Sequence, residues 1–148
     1  LRAMSATALR LPASREGLVV VGMADLQVSG RAAERLVTYA LGSCLGIAVH
    51  DPVANVGGLL HVMLPDSKID ADKARANPFM FVDTGVPQLF RRCYELGARK
   101  ERCVVKVAGG AFAGTAAQED RFQIGKRNFL ALRQLLWKNG VMLQAHEV

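Results

Sequence analysis

The sequence predicts an α/β (α+β) sandwich: a mixed, largely antiparallel sheet with helices packed on it. Three observations predict it. Half of the 148 residues are apolar, enough for a real core. Short β-branched runs punctuated by glycine alternate with two longer stretches of helical periodicity. Their order along the chain is strands, helix, strand, helix, strand, which suits a sheet covered by helices.

Residues 1–16 have three arginines among small residues and no apolar centre, so they read as a flexible leader and not as a signal peptide. A single domain is expected over 17–148. LVVVGMADLQVSG opens it as one or two strands, ended by the Ser29-Gly30 turn signal. ERLVTYA is a further short strand. LGIAVH and VGGLLHVML form two more around DPVAN, whose Asp51-Pro52 and Asn55 supply turn chemistry. DSKIDADKARANP is polar without apolar periodicity and reads as a long loop. VDTGVPQLFRRCYELGA is a helix, with Asp83 or Thr84 as cap, Pro87 in its first turn and Gly97 at its end. Val86, Leu89, Phe90, Cys93 and Leu96 recur on one face, so Cys93 is a core residue. RCVVKVAGG is a strand containing Cys103, again core. GAFAGTAAQEDRFQ is irregular. IGKRNFLALRQLLWKNG is the second helix, with Phe129, Leu132, Leu135 and Leu136 inward and Asn139-Gly140 as its stop. VMLQAHEV is the last strand.

Composition excludes several functions. The formal charge is +6, yet no block of like charge, RNP-type aromatic pattern or zinc-finger spacing occurs, so nucleic-acid binding rests on net charge alone. No apolar run approaches membrane-spanning length, so no membrane insertion is expected. Three cysteines at irregular spacing and three scattered histidines make no metal set, and they favour a reducing, cytoplasmic setting.

The chemistry concentrates in TYALGSCLGIA and GGLLHVMLP. If Cys44 faces His61 across a hairpin, the hairpin centre falls between Pro52 and Val53, inside the expected turn. A thiol is a weak nucleophile until a base takes its proton, and histidine does that near neutral pH. Thr38, across the tight turn, could fix the imidazole tautomer. Gly42 and Ser43 leave backbone free for substrate and for an oxyanion. His50 lies too far along the extended strand to serve Cys44 and reads as a turn residue. These residues alone leave two readings open: a small core cysteine near a core histidine, or a nucleophile with its base.

Thr38, LGSCLG (41–46), Asp51-Pro52, GGLLHVMLPDS (57–67), VKVAGGA (105–111) and IGKRN (124–128) together resemble the CheD family of chemoreceptor glutamine deamidases. The resemblance runs from about Val21 to the end of the chain. It implies a cytoplasmic cysteine hydrolase that converts receptor glutamines to glutamate with release of ammonia, and in some members hydrolyses glutamyl methyl esters. It implies catalytic roles for Cys44, His61 and Thr38, and no metal or organic cofactor. The implied partners are chemotaxis receptors and a CheC-type response-regulator phosphatase. An acidic receptor surface would suit the basic balance. The chain departs from the family pattern at its AHEV end, at Phe79-Met80-Phe81 and at AFAGT, none of which touches the three candidates. The rival readings are a non-catalytic adaptor for receptor or phosphatase, and a thiol hydrolase of another kind, such as a peptidase.

Overall fold

A computed structural model describes residues 17–111 and 123–148. The leader assigned to 1–16, and most of the stretch read as irregular after Ala111, lie outside them. The strands are β1 (Leu18–Val21), β2 (Asp25–Ser29), β3 (Arg35–Thr38), β4 (Leu45–Asp51), β5 (Val56–Val62), β6 (Val104–Gly109) and β7 (Leu143–Glu147). The helices are α1 (Ala71–Ala76), α2 (Val82–Glu95) and α3 (Ile124–Lys138). Five strands form one sheet in the order β2-β5-β4-β6-β7, antiparallel except for the β6–β7 pair. β1 and β3 form a separate parallel pair. This is the predicted α+β architecture.

Alternation along β4 and β5 sets the layers. Leu45, Ile47, Val49, Leu60 and Val62 are fully or almost fully buried and join Val86, Leu89, Leu132 and Leu136 of the helices in one core. The helix α2 can lie close on β5 because Gly58 has no side chain. A Cβ there would stand 2.6 Å from Leu89 Cδ1 and 2.7 Å from Cys93 Sγ. Cys93 is buried as expected, and burial first, then Cys103, pushes its thiol up to about 12. Cys103 is partly buried against the same core.

Three local expectations need correction. The polar stretch after Pro65 is not a loop throughout: it holds 3-10 turns at Ser67–Ile69 and Pro78–Met80 around α1. Side-chain caps from Asp66, Asp70 and Asn77 hold these turns. None of their residues is buried, so no apolar period could announce them. Second, α2 has no side-chain cap. Asp83 instead accepts from Ser67 N–H and Oγ–H, and Thr84 Oγ1 donates to the Pro78 carbonyl. Third, Pro87 lies inside the helix beyond its first turn, so its missing N–H leaves the Asp83 carbonyl without a helical donor. Phe81, one of the residues that depart from the family pattern, is fully buried, and Phe79 lies under the Arg92 guanidinium.

The β4–β5 turn is anchored by Asp51. This residue is paired within β4, fully buried, and accepts from the N–H groups of Val53, Ala54 and Arg99 and from Arg102. Asn55 closes the turn with φ 55°.

Candidate functional site

The site forms where the small β1–β3 layer meets the face of the five-stranded sheet that points away from the helices. The period of two along β5 puts His61 on that face, while Leu60 and Val62 point to the core. His61 is nonetheless fully buried, because β3 packs over it.

The hairpin register differs from the sequence expectation. Gly46, not Cys44, stands opposite His61, and Asp51 pairs with Val56. The hairpin centre therefore lies between Val53 and Ala54. The cause is the turn: Asp51 stays in the strand and caps Val53 and Ala54 with its side chain, so the loop proper begins at Pro52. The difference amounts to two residues, one full pleat period, so the face is preserved. Cys44, two residues before Gly46, lies in the bend that leads into β4, one position outside the ladder. No hydrogen bond joins its sulfur to His61 in the resting structure. His50, read as a turn residue, is an exposed residue of β4 paired with Gly57.

Thr38 settles the protonation of the imidazole. Its Oγ1 lies 2.8 Å from the Val21 carbonyl and 2.8 Å from His61 Nδ1. A hydroxyl carries one proton, and a carbonyl oxygen can only accept. The proton therefore goes to Val21, and the Thr38 oxygen accepts from Nδ1–H. The free lone pair of His61 is left on Nε2, which is buried without a hydrogen-bond partner among the described residues. Gly46 makes room for this contact. A Cβ there would come within 3.4 Å of Thr38 Cγ2 and 3.3 Å of Leu41. Burial holds the His61 pKa below its ordinary value and pushes the Cys44 thiol above its own. At neutral pH the pair therefore rests as thiol and neutral imidazole, with Cys44 partly exposed.

The loop before Cys44 is held by its carbonyls. Gly42 C=O accepts from Ala111 N–H and Cys44 C=O from Gly110 N–H, both at 2.8 Å. Gly109, at φ 103°, permits this approach, since a Cβ there would sit 2.1 Å from the Cys44 oxygen. Cys44 N–H is already used, donating to Leu41 C=O at 2.7 Å. In a trans peptide the N–H points opposite to the preceding C=O. Ser43 N–H therefore points away from Ala111, and Gly42 N–H away from the Cys44 amide. Among the described residues neither N–H has a partner, and of the two, Ser43 is next to Cys44 in the chain. Among the described residues no group of His, Cys, Asp and Glu could hold a metal ion, and no helix is long and apolar enough to cross a membrane.

Asn128 was missed as a site residue by sequence reasoning, although its motif was noted. It is fully buried on α3 and donates through Nδ2 to the carbonyls of Ser43 and Met63. The available signal was a polar residue four positions before Leu132, on the apolar stripe of its helix.

A family model described as CheD chemotactic sensory transduction matches residues 63–148. The chain is similar to the "Probable chemoreceptor glutamine deamidase CheD 1" of Syntrophus aciditrophicus (strain SB), at 49% identity over 88% of this chain and 81% of that protein. It is 47% identical to the "Probable chemoreceptor glutamine deamidase CheD" of Solibacter usitatus (strain Ellin6076), over 88% of this chain and 76% of that protein. The second such protein of Anaeromyxobacter dehalogenans (strain 2CP-C) is 42% identical over 88% of this chain and 81% of its own length.

Proposed function

The chain belongs to the CheD family, and on that premise we propose that it is a protein-glutamine glutaminase acting on chemotaxis receptors, with Cys44 as nucleophile, His61 as acid–base and Thr38 as the group that orients His61. The observation that carries this assignment is the Val21–Thr38–His61 relay of hydrogen bonds, which leaves Nε2 of His61 as a basic nitrogen on the strand next to the one that Cys44 leads into.

His61 Nε2 takes the thiol proton of Cys44 as the sulfur attacks the side-chain amide carbon of glutamine. The carbonyl π electrons move to oxygen, and Ser43 N–H, with Gly42 N–H beside it, receives the oxyanion. As the oxyanion collapses, the C–N bond breaks and the Nε2 proton goes to the leaving nitrogen, releasing ammonia. Water then attacks the thioester, giving its proton to Nε2, and collapse returns that proton to sulfur with glutamate as product. The pair begins uncharged, so the proton moves with the attack and no ion pair has to be stabilised beforehand. Rotation about the Cys44 side chain brings sulfur to nitrogen, since resting enzymes often hold such contacts long.

The same thioester route serves glutamyl methyl esters, with methanol leaving in place of ammonia. A CheC-type phosphatase is the second protein partner in this proposal, competing with receptor for the Cys44 face, and the cytoplasm is its setting. Both rest on the family resemblance.

Incubation with a purified receptor signalling fragment tests the reading. Ammonia release with glutamine-to-glutamate conversion is expected, and Cys44→Ala abolishes both while still binding the fragment. Equal ammonia release by Cys44→Ala and wild type refutes the thiol mechanism. Binding without any conversion supports the adaptor, and backbone cleavage supports a peptidase.

A further inference from the structure

We propose that Asn128 is a positioning residue of the catalytic pair, setting the separation of nucleophile and base by bridging the Ser43 and Met63 carbonyls. The inference deepens the Cys44–His61 reading and rests on it.

The β4–β5 ladder ends at the Leu45–Val62 pair. Cys44 and Met63 are the next residues outward, at the point where the two strands part. Ser43 and Met63 both present carbonyl oxygens there, and two acceptors cannot bond to one another. The Asn128 amide supplies both missing protons from one nitrogen, with each bond 3.0 Å long. The assignment of nitrogen and oxygen is unambiguous, because an amide oxygen in that place would face two acceptors. One planar NH2 group therefore fixes how far apart the chains stand where they carry Cys44 and, two residues before Met63, His61.

The bridge also fixes the direction of the thiol. The peptide between Ser43 and Cys44 is gripped at both ends, its oxygen by Asn128 and its N–H by Leu41. Rotation of that plane would swing the Cα–Cβ bond of Cys44 toward or away from Nε2. Asn128 Oδ1 is buried without a hydrogen-bond partner among the described residues. An apolar residue of similar shape would remove that orphan acceptor but leave the Ser43 and Met63 carbonyls without their donor, so its substitution should lower stability as well as release the two chains. What an apolar residue could not do is hold the two carbonyls together.

The test compares Asn128→Ala and Asn128→Ser with wild type and with His61→Gln. Alkylation of Cys44 by iodoacetamide, followed on its own peptide as a function of pH, reports thiol activation without any receptor. Ammonia release from a receptor fragment gives kcat and KM. Asn128→Ala is expected to lower kcat by roughly tenfold to a hundredfold with KM within about twofold. Its alkylation profile should move toward that of His61→Gln. Asn128→Ser, which can serve one carbonyl at a time, should fall between. A folded Asn128→Ala with wild-type kcat and alkylation profile overturns the proposal, even if its Tm is lower. So does failure of both variants to fold, which would make the residue a stabiliser only. If His61→Gln itself leaves alkylation unchanged, the underlying Cys44–His61 reading falls first, a result separable from the others.

Discussion

Replacing Thr38 by valine removes one oxygen atom and keeps the shape. That atom serves two contacts of 2.8 Å, one to the Val21 carbonyl and one to His61 Nδ1–H. Both partners stay behind in a place where His61 is fully buried. An orphaned buried donor or acceptor costs about 1–3 kcal/mol, so Thr38→Val should lower Tm by several degrees. The effect on turnover has a separate origin. With Nδ1 unsupported, the imidazole loses its preference for the tautomer with a free Nε2. A hydrogen-bond bias of about 1.4 kcal/mol corresponds to a tenfold change in rate. We expect kcat to fall by roughly tenfold to a hundredfold with KM within about twofold, because in the proposed mechanism Thr38 acts through His61. Thr38→Ser restores the hydroxyl and should recover most of the loss. The assay is ammonia release from a receptor fragment, run well below the Tm of every variant. A Thr38→Val enzyme with unchanged kcat would refute the relay.

Two further predictions concern pH. Burial keeps the folded pKa of His61 below its ordinary 6.5, so the neutral base persists above that lowered value and is lost as pH falls through it. The acid limb of kcat/KM should therefore lie below pH 6.5, and a limb above it would contradict the burial argument. The alkaline limb should lie above 9.0, where Cys44 ionises and His61 has no proton for ammonia; both values belong to the coupled pair. Asp51 is held well below the carboxylate range by Arg102 first, and then by the N–H groups of Ala54, Arg99 and Val53, which together outweigh its burial. Its stabilising contribution is full above the unfolded value of 3.8 and is lost as pH falls from there toward the folded one. Asp51→Asn should thus unfold at lower denaturant at neutral pH and lose less on acidification. Equal midpoints at pH 7 would show that the turn does not need the charge.

What the sequence made legible follows from what each feature depends on. The strands and the two long helices carry apolar periods and breakers, which are local, and they appear where expected. The parity of the β4–β5 register was also legible, because it survives a change of two residues. The register itself was not, since it hung on whether Asp51 is the last residue of a strand or the first of a turn, and its buried pairing with Arg102 lies 51 positions away. The helix α1 escaped notice because it buries nothing, and Asp83 misled as a cap because its acceptor capacity goes to Ser67. Gly42 and Ser43 were nominated together, and what the sequence could not show is that the carbonyls before both N–H groups are already tied back. Asn128 stood in plain view, yet its two partners come from distant segments that only the closed sheet brings together.

The β1–β3 pair has a kinetic meaning beyond its geometry. It is a two-stranded ribbon with four residue pairs, outside the five-stranded sheet. Such a ribbon has little stability of its own, and regions of this kind open at lower free energy than the core beneath them. Each opening of the ribbon withdraws Thr38 and Val21 from His61, and the imidazole becomes free to exchange tautomers and to meet water. The main sheet, with Cys44 and His61 still attached, need not notice. In the proposed mechanism this makes a fluctuation smaller than unfolding a gate on His61, and anything that clamps the ribbon would favour the tautomer with Nε2 free.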